Sequence, residues 1–187
     1  MKELFEQIKS LKFLVIGDVM LDRYVIGEVS RISPEAPVPV LTVQEEKSVA
    51  GGASNVALNL RSLGSSVETI GWFGADQKGN KLVEILSTAD VKVDTNFRFS
   101  SAPTISKSRV TASNQQICRV DREAHVADYS PDLRVLGDLL IPKVKTADAV
   151  IISDYGKGLL SSATLKAISA CGKCRKLKLA LKCSDMR

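Results

Sequence analysis

The run KFLVIGDVM (12–20) constrains the fold more than any other stretch: it is apolar almost throughout and stops at Gly17-Asp18. A parallel strand buried on both faces has this character, with its C-terminal end opening on a site. VETIGWFG (67–74) and AVIISD (149–154), which ends at Asp154, read as further strands. Helical spacing fills the intervals. Leu4, Phe5, Ile8 and Leu11 give a short first helix; Ala53–Leu63 is closed by Gly64; QKGNKLVEILSTA (77–89), Asp132 to about Ile141 and about Ser162 to Ala170 follow. Strands alternating with helices predict an α/β fold with a mainly parallel sheet.

Two stretches break that rhythm. DRYVIGEVSRI (22–32) and PVPVLTVQEE (37–46) read as strands around SPEAP, with prolines that suit the edge of a small sheet. TISKSRVTA (104–112) and QQICRVDRE (115–123) flank the turn-like SNQ. The first pair predicts a small β-rich flap inserted after the first strand. No internal repeat or low-complexity linker is visible, and 187 residues allow one sizeable core.

Composition narrows the function classes. With 44% apolar and 25% charged residues the chain reads as globular rather than disordered. The net charge is +5, and Lys173, Arg175, Lys176, Lys178, Lys182 and Arg187 crowd the tail with Asp185 opposing them. No aromatic motif interleaves those cations, so no nucleic-acid partner is expected. No apolar run is long enough to cross a bilayer, and Glu3 and Glu6 precede the first apolar run, unlike a secretory signal. The expectation is a cytoplasmic protein with no membrane partner. Cys171 and Cys174 form a C-x-x-C pair near Cys183, with Cys118 far away, but the one histidine, His125, is also distant. No metal site is expected, and the thiols read as incidental in a reducing compartment.

SVAGGASNVALNL (48–60) raises the functional question, because Gly51, Gly52 and Asn55 sit at the mouth of a helix. Glycines there serve either tight packing or the approach of a ligand to backbone N–H groups, where a helix start favours a polar or anionic group. Ligands of such folds lie at the carboxyl ends of the strands. Gly17, Asp18 and Asp22 are expected there, with Gly71–Gly79 and the DYGKG run Asp154–Gly158. Carboxylates, glycines, an amide and a lysine at one rim suit a polyhydroxylated ligand, since each buried hydroxyl needs a partner. A phosphate on that ligand would draw on Arg31, Lys107, Arg109 or Lys157. The plainer alternative is that an Asp after a strand caps a helix or forms a turn. With no G-x-G-x-x-G after the first strand and no G-x-x-x-x-G-K-[ST], neither dinucleotide binding nor a P-loop is supported.

The ordered set GDVMLD (17–22), AGGASNVALNLRSLG (50–64), GWFGADQKG (71–79) and SDYGKG (153–158) resembles the ribokinase-like (PfkB) carbohydrate kinases. DRYVIGEVSRISPEAPVPVL (22–41) and NQQICRVDRE (114–123) are similar to the kinase domain of the bifunctional ADP-heptose synthesis proteins. Those kinases phosphorylate D-glycero-D-manno-heptose 7-phosphate at its anomeric oxygen. The resemblance implies a ribokinase-like domain over residues 1–170, with lid strands at about 22–43 and 106–120. It also implies a sugar-phosphate substrate, ATP and Mg²⁺ as cofactors, and a homodimer formed through the lid. Together with the phosphate reading, it makes substrate-binding candidates of Asp22, Gly51, Gly52, Asn55, Lys107, Arg109, Asp154 and Lys157. Asp22 resembles the family's carboxylate for sugar hydroxyls.

The family's G-A-G-D motif, whose Asp takes the proton from the attacking hydroxyl, does not occur in these residues. No catalytic residue is therefore assigned, and every match lies on the acceptor-sugar side. In CGKCRKLKLALKCSDMR (171–187), a divergent basic tail, leucines alternate with lysines in the manner of a half-exposed edge strand. The expectation is a product truncated or frame-altered before the nucleotide-binding half. It is a sugar kinase by descent, lacking the part of the pocket for ATP and Mg²⁺; the alternative is a non-catalytic fragment that binds sugar phosphate or dimerises.

Overall fold

The structure, a computed structural model, describes residues 2–130, 132–170 and 178–182. Its central sheet is parallel, with β1 (Lys12–Gly17) between β10 (Ala149–Asp154) and β4 (Ser66–Ile70). Outside them lie β11 (Lys178–Lys182) and β6 (Lys92–Val93), giving the order β11-β10-β1-β4-β6. Period-two alternation sends neighbouring side chains of β1 to opposite layers. Val15 joins Val67 and Ile151 beneath α2 (Ala53–Ser62) and α3 (Gln77–Thr88), where Ala57, Leu82 and Leu86 are buried. Leu14 and Ile16 join Val150 and Ile152 beneath α4 (Leu133–Thr146) and α5 (Ser162–Ala170), with Leu140, Val144 and Ile168. Burial on both faces is why β1 reads as a continuous apolar run, and each large aliphatic side chain so buried contributes about 1.5–3 kcal/mol. The short α1 (Lys2–Lys9) leaves Phe5 exposed, so its apolar spacing makes less of a packing face than the sequence suggests.

A second, four-stranded sheet rises from the carboxyl end of β1. It has the order β3 (Pro39–Gly52), β2 (Val19–Ile32), β8 (Ser106–Ala112), β9 (Gln115–Arg122), with β2 and β8 parallel and the other pairs antiparallel. Its root is packed by Met20, Trp72, Ala102, Ile105 and Tyr129. The Tyr129 hydroxyl accepts from the Ala124 N–H (2.8 Å) and donates to the Pro103 carbonyl (3.1 Å), tying together the two ends of the β8–β9 hairpin. β9 is exposed along its whole length.

Several boundaries differ from the sequence reading. β2 starts at Val19 and β3 continues to Gly52, because the inner ends of both strands belong to the core (Leu21 and Ala50 are buried) while their outer ends face solvent. A strand that passes from core to solvent has no single alternation along its length. VETIGWFG is not one strand: β4 ends at Ile70, and β5 (Phe73–Gly74) pairs with β7 (Arg98–Phe99) in a separate sheet. At the break, a Cβ on Gly71 would lie 2.4 Å from a Val19 methyl. α4 runs through Pro142 to Thr146 rather than stopping near Ile141; buried Val144 anchors its last turn against the loss of one backbone bond. In the tail, Lys178–Lys182 forms an edge strand parallel to β10. Cys171, Cys174, Cys183 and the rest of 171–177 and 183–187 lie outside the described residues. No helix among the described residues is long and apolar enough to cross a membrane.

Candidate functional site

The carboxyl ends of β1 and β10 lie side by side, with Gly17 in register with Ser153. Asp18 follows, and its N–H donates to the Ser153 carbonyl (3.1 Å). The sequence places Asp18 on the open rim, but it is only 2% exposed. Its Oδ2 accepts the backbone N–H groups of Tyr155 (2.8 Å) and Lys157 (3.1 Å). Burial pushes its carboxyl above the ordinary value, with Asp154 adding to the effect and the loop N–H groups opposing it. The Asp18 carbonyl accepts the Ala53 N–H (3.0 Å) at the start of α2. Gly52 makes that approach possible: its φ is 58°, and a Cβ there would stand 2.3 Å from the Asp18 carbonyl oxygen.

One strand pair further, Gly51 lies against the Asp22 carboxylate, where a Cβ would be 2.3 Å from Oδ2. The other carboxylate oxygen of Asp22 receives a 2.7 Å bond from Arg109 Nη1, in a partly buried ion pair. The Arg109 guanidinium also lies 5.4 Å from the Tyr24 ring centre. Lys107 is half-buried and sits in register with Asp22 on one side and Asp121 on the other. Residues in register share a face, so Asp22, Tyr24, Lys107 and Arg109 stand on one side of the second sheet. α2 opens without a side-chain cap, and Asn55 is exposed on its first turn. Ser54 Oγ is buried there without a hydrogen-bond partner.

The remaining candidates lie on the turn after β10. Asp154 Oδ1 accepts from the Gly156 N–H (2.8 Å), and the Lys157 ammonium pairs with Glu123 at 2.6 Å, just beyond β9. Asp22, Gly51, Lys107 and Arg109 thus form one group, Gly52 and Asn55 a second, and Asp154 and Lys157 a third; Asp18 bonds to Ala53, between the members of the second, and to Lys157 of the third. Arg31 does not join them. It is exposed near the outer end of β2, nine residues and about 30 Å of strand from Asp22. GADQKG takes the plainer role of a helix start: Asp76 caps α3, accepting from Gly79 N–H (2.7 Å), Thr104 hydroxyl (2.7 Å) and Thr104 N–H (3.0 Å). Glu123 and Tyr24 escaped the sequence reading because nothing local marks them; register and chain return alone bring them to Lys157 and Arg109.

A cleft of about 460 Å³ lies elsewhere, lined by Glu68, Ser87, Asp90, Val91, Lys92, Val93, Asp94 and Lys143. Lys143 bridges Glu68 (2.5 Å) and Asp94 (2.7 Å) in it, so the central charges already satisfy one another. Among the described residues no group of three or more His, Cys, Asp or Glu side chains is arranged to hold a metal ion. Of the rim carboxylates, Asp18 is enclosed by N–H groups and Asp22 is paired with Arg109. These residues do not fit a Mg²⁺ site.

The sequence from 10 to 183 matches the model of the pfkB family carbohydrate kinases. The chain belongs to this family. Over 155 residues it is 46% identical to the bifunctional protein HldE of Haemophilus influenzae (strain PittEE), covering 82% of this chain and 32% of that protein. With the HldE of Azorhizobium caulinodans the identity is 43% over 167 residues, covering 86% and 34%. The chain therefore spans about a third of the length of the curated relatives it matches. Its fold is similar to that of a carbohydrate kinase from Agrobacterium tumefaciens, with a TM-score of 0.67 at 21% identity, covering 92% of this chain and 53% of that one. The ribokinase of Arabidopsis thaliana complexed with ribose and ATP gives a TM-score of 0.61 at 17% identity, covering 91% and 53%. The fold is ribokinase-like.

Proposed function

We propose that this chain forms the acceptor-sugar side of an ATP-dependent kinase that phosphorylates heptose 7-phosphate at its anomeric hydroxyl. The observation that carries the reading is the Asp22–Arg109 pair held against Gly51, with Lys107 beside it. In this reading Asp22 accepts hydrogen bonds from sugar hydroxyls, while the ring approaches the backbone at Gly51 and Gly52. Asn55 and the uncapped N–H groups of α2 meet further oxygens. Arg109 neutralises Asp22 through one N–H and keeps other donors, which with the Lys107 ammonium suit the phosphate at the far end of the sugar. Asp154 and Lys157 close the opposite side of the rim. The relation to two HldE proteins supports this substrate class.

Bound ATP with Mg²⁺ would supply the phosphoryl group and neutralise its developing charge. The chain's own contribution is to fix the acceptor and exclude water from it, which is where the second sheet acts as a lid. Exposed Ile32, Val43, Ile117 and Val120 on that sheet, with Val38 in the loop joining its first two strands, support its covering by a second copy. The cytoplasm is the proposed location. A polypeptide of these 187 residues is expected to bind heptose 7-phosphate in calorimetric titration and to release no ADP above background in a coupled assay with ATP and Mg²⁺. Failure to bind refutes the acceptor-site reading; turnover near that of full-length family members refutes the assignment of the base outside these residues.

A further inference from the structure

Asp18 is a buried carboxylate that the proposed chemistry does not use, and 2% exposure leaves it almost no access to a ligand. A buried carboxylate is costly unless it is matched by donors, and here the donors are backbone. The N–H groups of Tyr155 and Lys157 converge on a single oxygen. Gly156 between them has φ 68° and Gly158 has φ 112°, so left-handed glycines curl alternate N–H groups toward one side, as in an anion-binding nest. On its other side, the Asp18 main chain receives α2 through Ala53 N–H, at a distance only glycine at 52 allows.

We propose that Asp18 is a positioning residue: its carboxylate folds the Tyr155–Lys157 turn, and its carbonyl seats the first turn of α2. One residue thereby fixes the spacing between Gly52 and Asn55 on α2 and Asp154 and Lys157 on the turn. The inference deepens the reading of this rim as a sugar-phosphate site and rests on it for its functional consequence.

The test uses the 187-residue chain with Asp18→Ala and Asp18→Asn. Amide hydrogen exchange is read at Tyr155 and Lys157, with Ile16 and Ile152 in the sheet as internal references. Binding of heptose 7-phosphate is read by calorimetry. In Asp18→Ala, exchange at Tyr155 and Lys157 rises about tenfold or more and affinity falls about tenfold, as for loss of a hydrogen bond to a charged acceptor. Ile16 and Ile152 exchange within about twofold of the unchanged chain, as adjacent but independently bonded amides do. Asp18→Asn recovers most of both effects, because a carboxamide oxygen still accepts. Unchanged exchange at the two turn amides overturns the proposal, as does an equal rise at the reference amides, which would mark a merely structural role. Unchanged affinity in an Asp18→Ala chain that has lost its turn protection also overturns it. If Asp18→Ala does not fold, Asp18→Asn decides: about threefold faster exchange at the turn amides is expected for a weaker, uncharged acceptor, and unchanged rates refute the role. A chain that binds no sugar phosphate refutes the functional reading instead, while the exchange rates still decide whether Asp18 folds the turn.

Discussion

Gly51→Ala separates the site from the scaffold. The added Cβ would stand 2.3 Å from Asp22 Oδ2, where ordinary contact begins near 3.4 Å. The carboxylate must therefore withdraw by about 1 Å, enough to break its 2.7 Å bond with Arg109. A hydrogen bond between charged groups contributes about 1.5–3 kcal/mol, and Asp22 would also leave its position toward the sugar. Affinity for heptose 7-phosphate should fall about ten- to hundredfold at about 1.4 kcal/mol per decade. Stability should fall by about 1.5–3 kcal/mol with the loss of that bond and by little more, because the obstacle is the movable end of a side chain. Gly17→Ala is the control. Its Cβ would lie 2.0 Å from the Ser153 carbonyl oxygen, and backbone within a central strand pair cannot step aside. That variant should lose about 3 kcal/mol or more of stability. Calorimetric titration and thermal melts on both proteins measure the two effects. Wild-type affinity in a folded Gly51→Ala protein would refute the placement of Asp22 in the site.

Asp22→Ala and Asn55→Ala should each weaken binding of the same sugar phosphate by about 1.5–3 kcal/mol with the fold intact; unchanged affinity in both removes them from the site. The Lys143 triad should make stability depend on pH in two windows. Burial pulls the Asp94 carboxyl upward, but the bonds from Lys143 and Asn96 hold it below 3.8, so its stabilisation is present above 3.8 and is lost as pH falls through its lower, folded value. Burial pulls Lys143 downward, but bonds to Asp94 and Glu68 hold it above 10.5, so its stabilisation is full below 10.5 and is lost as pH rises through the higher, folded value. Urea titrations across pH should show both losses, and Lys143→Met should flatten them; an unaltered profile in that variant counts against the triad. Finally, the exposed apolar side chains of the second sheet should drive self-association. A clean monomer in sedimentation at tens of micromolar would count against dimerisation through this sheet.

The central α/β frame was legible because burial on both faces leaves a local mark. A strand such as 12–17 must be apolar throughout, and the helices covering it must show their own period. The glycines at 51 and 52 were legible for a related reason, since close approach at a helix mouth demands a residue without a side chain. The sequence alone also carried the ordered motifs of the family, together with the residue types that a sugar phosphate would need.

Only the tertiary structure decided how those residues are used. Asp18 and Asp22 both follow β1 and look alike in the sequence, but one is enclosed by the N–H groups of a turn more than 130 residues away, while the other faces Arg109. Arg31 and Arg109 are equally good phosphate ligands on paper; strand length carries Arg31 away from the rim, and the parallel pairing of β2 with β8 brings Arg109 to Asp22. Lys157 looked free until the chain returning from β9 supplied Glu123. Local pattern records what a residue must be near in general, apolar or polar, packed or solvated. Which partner it meets depends on strand register and chain crossing, and these are fixed by the summed packing of distant segments.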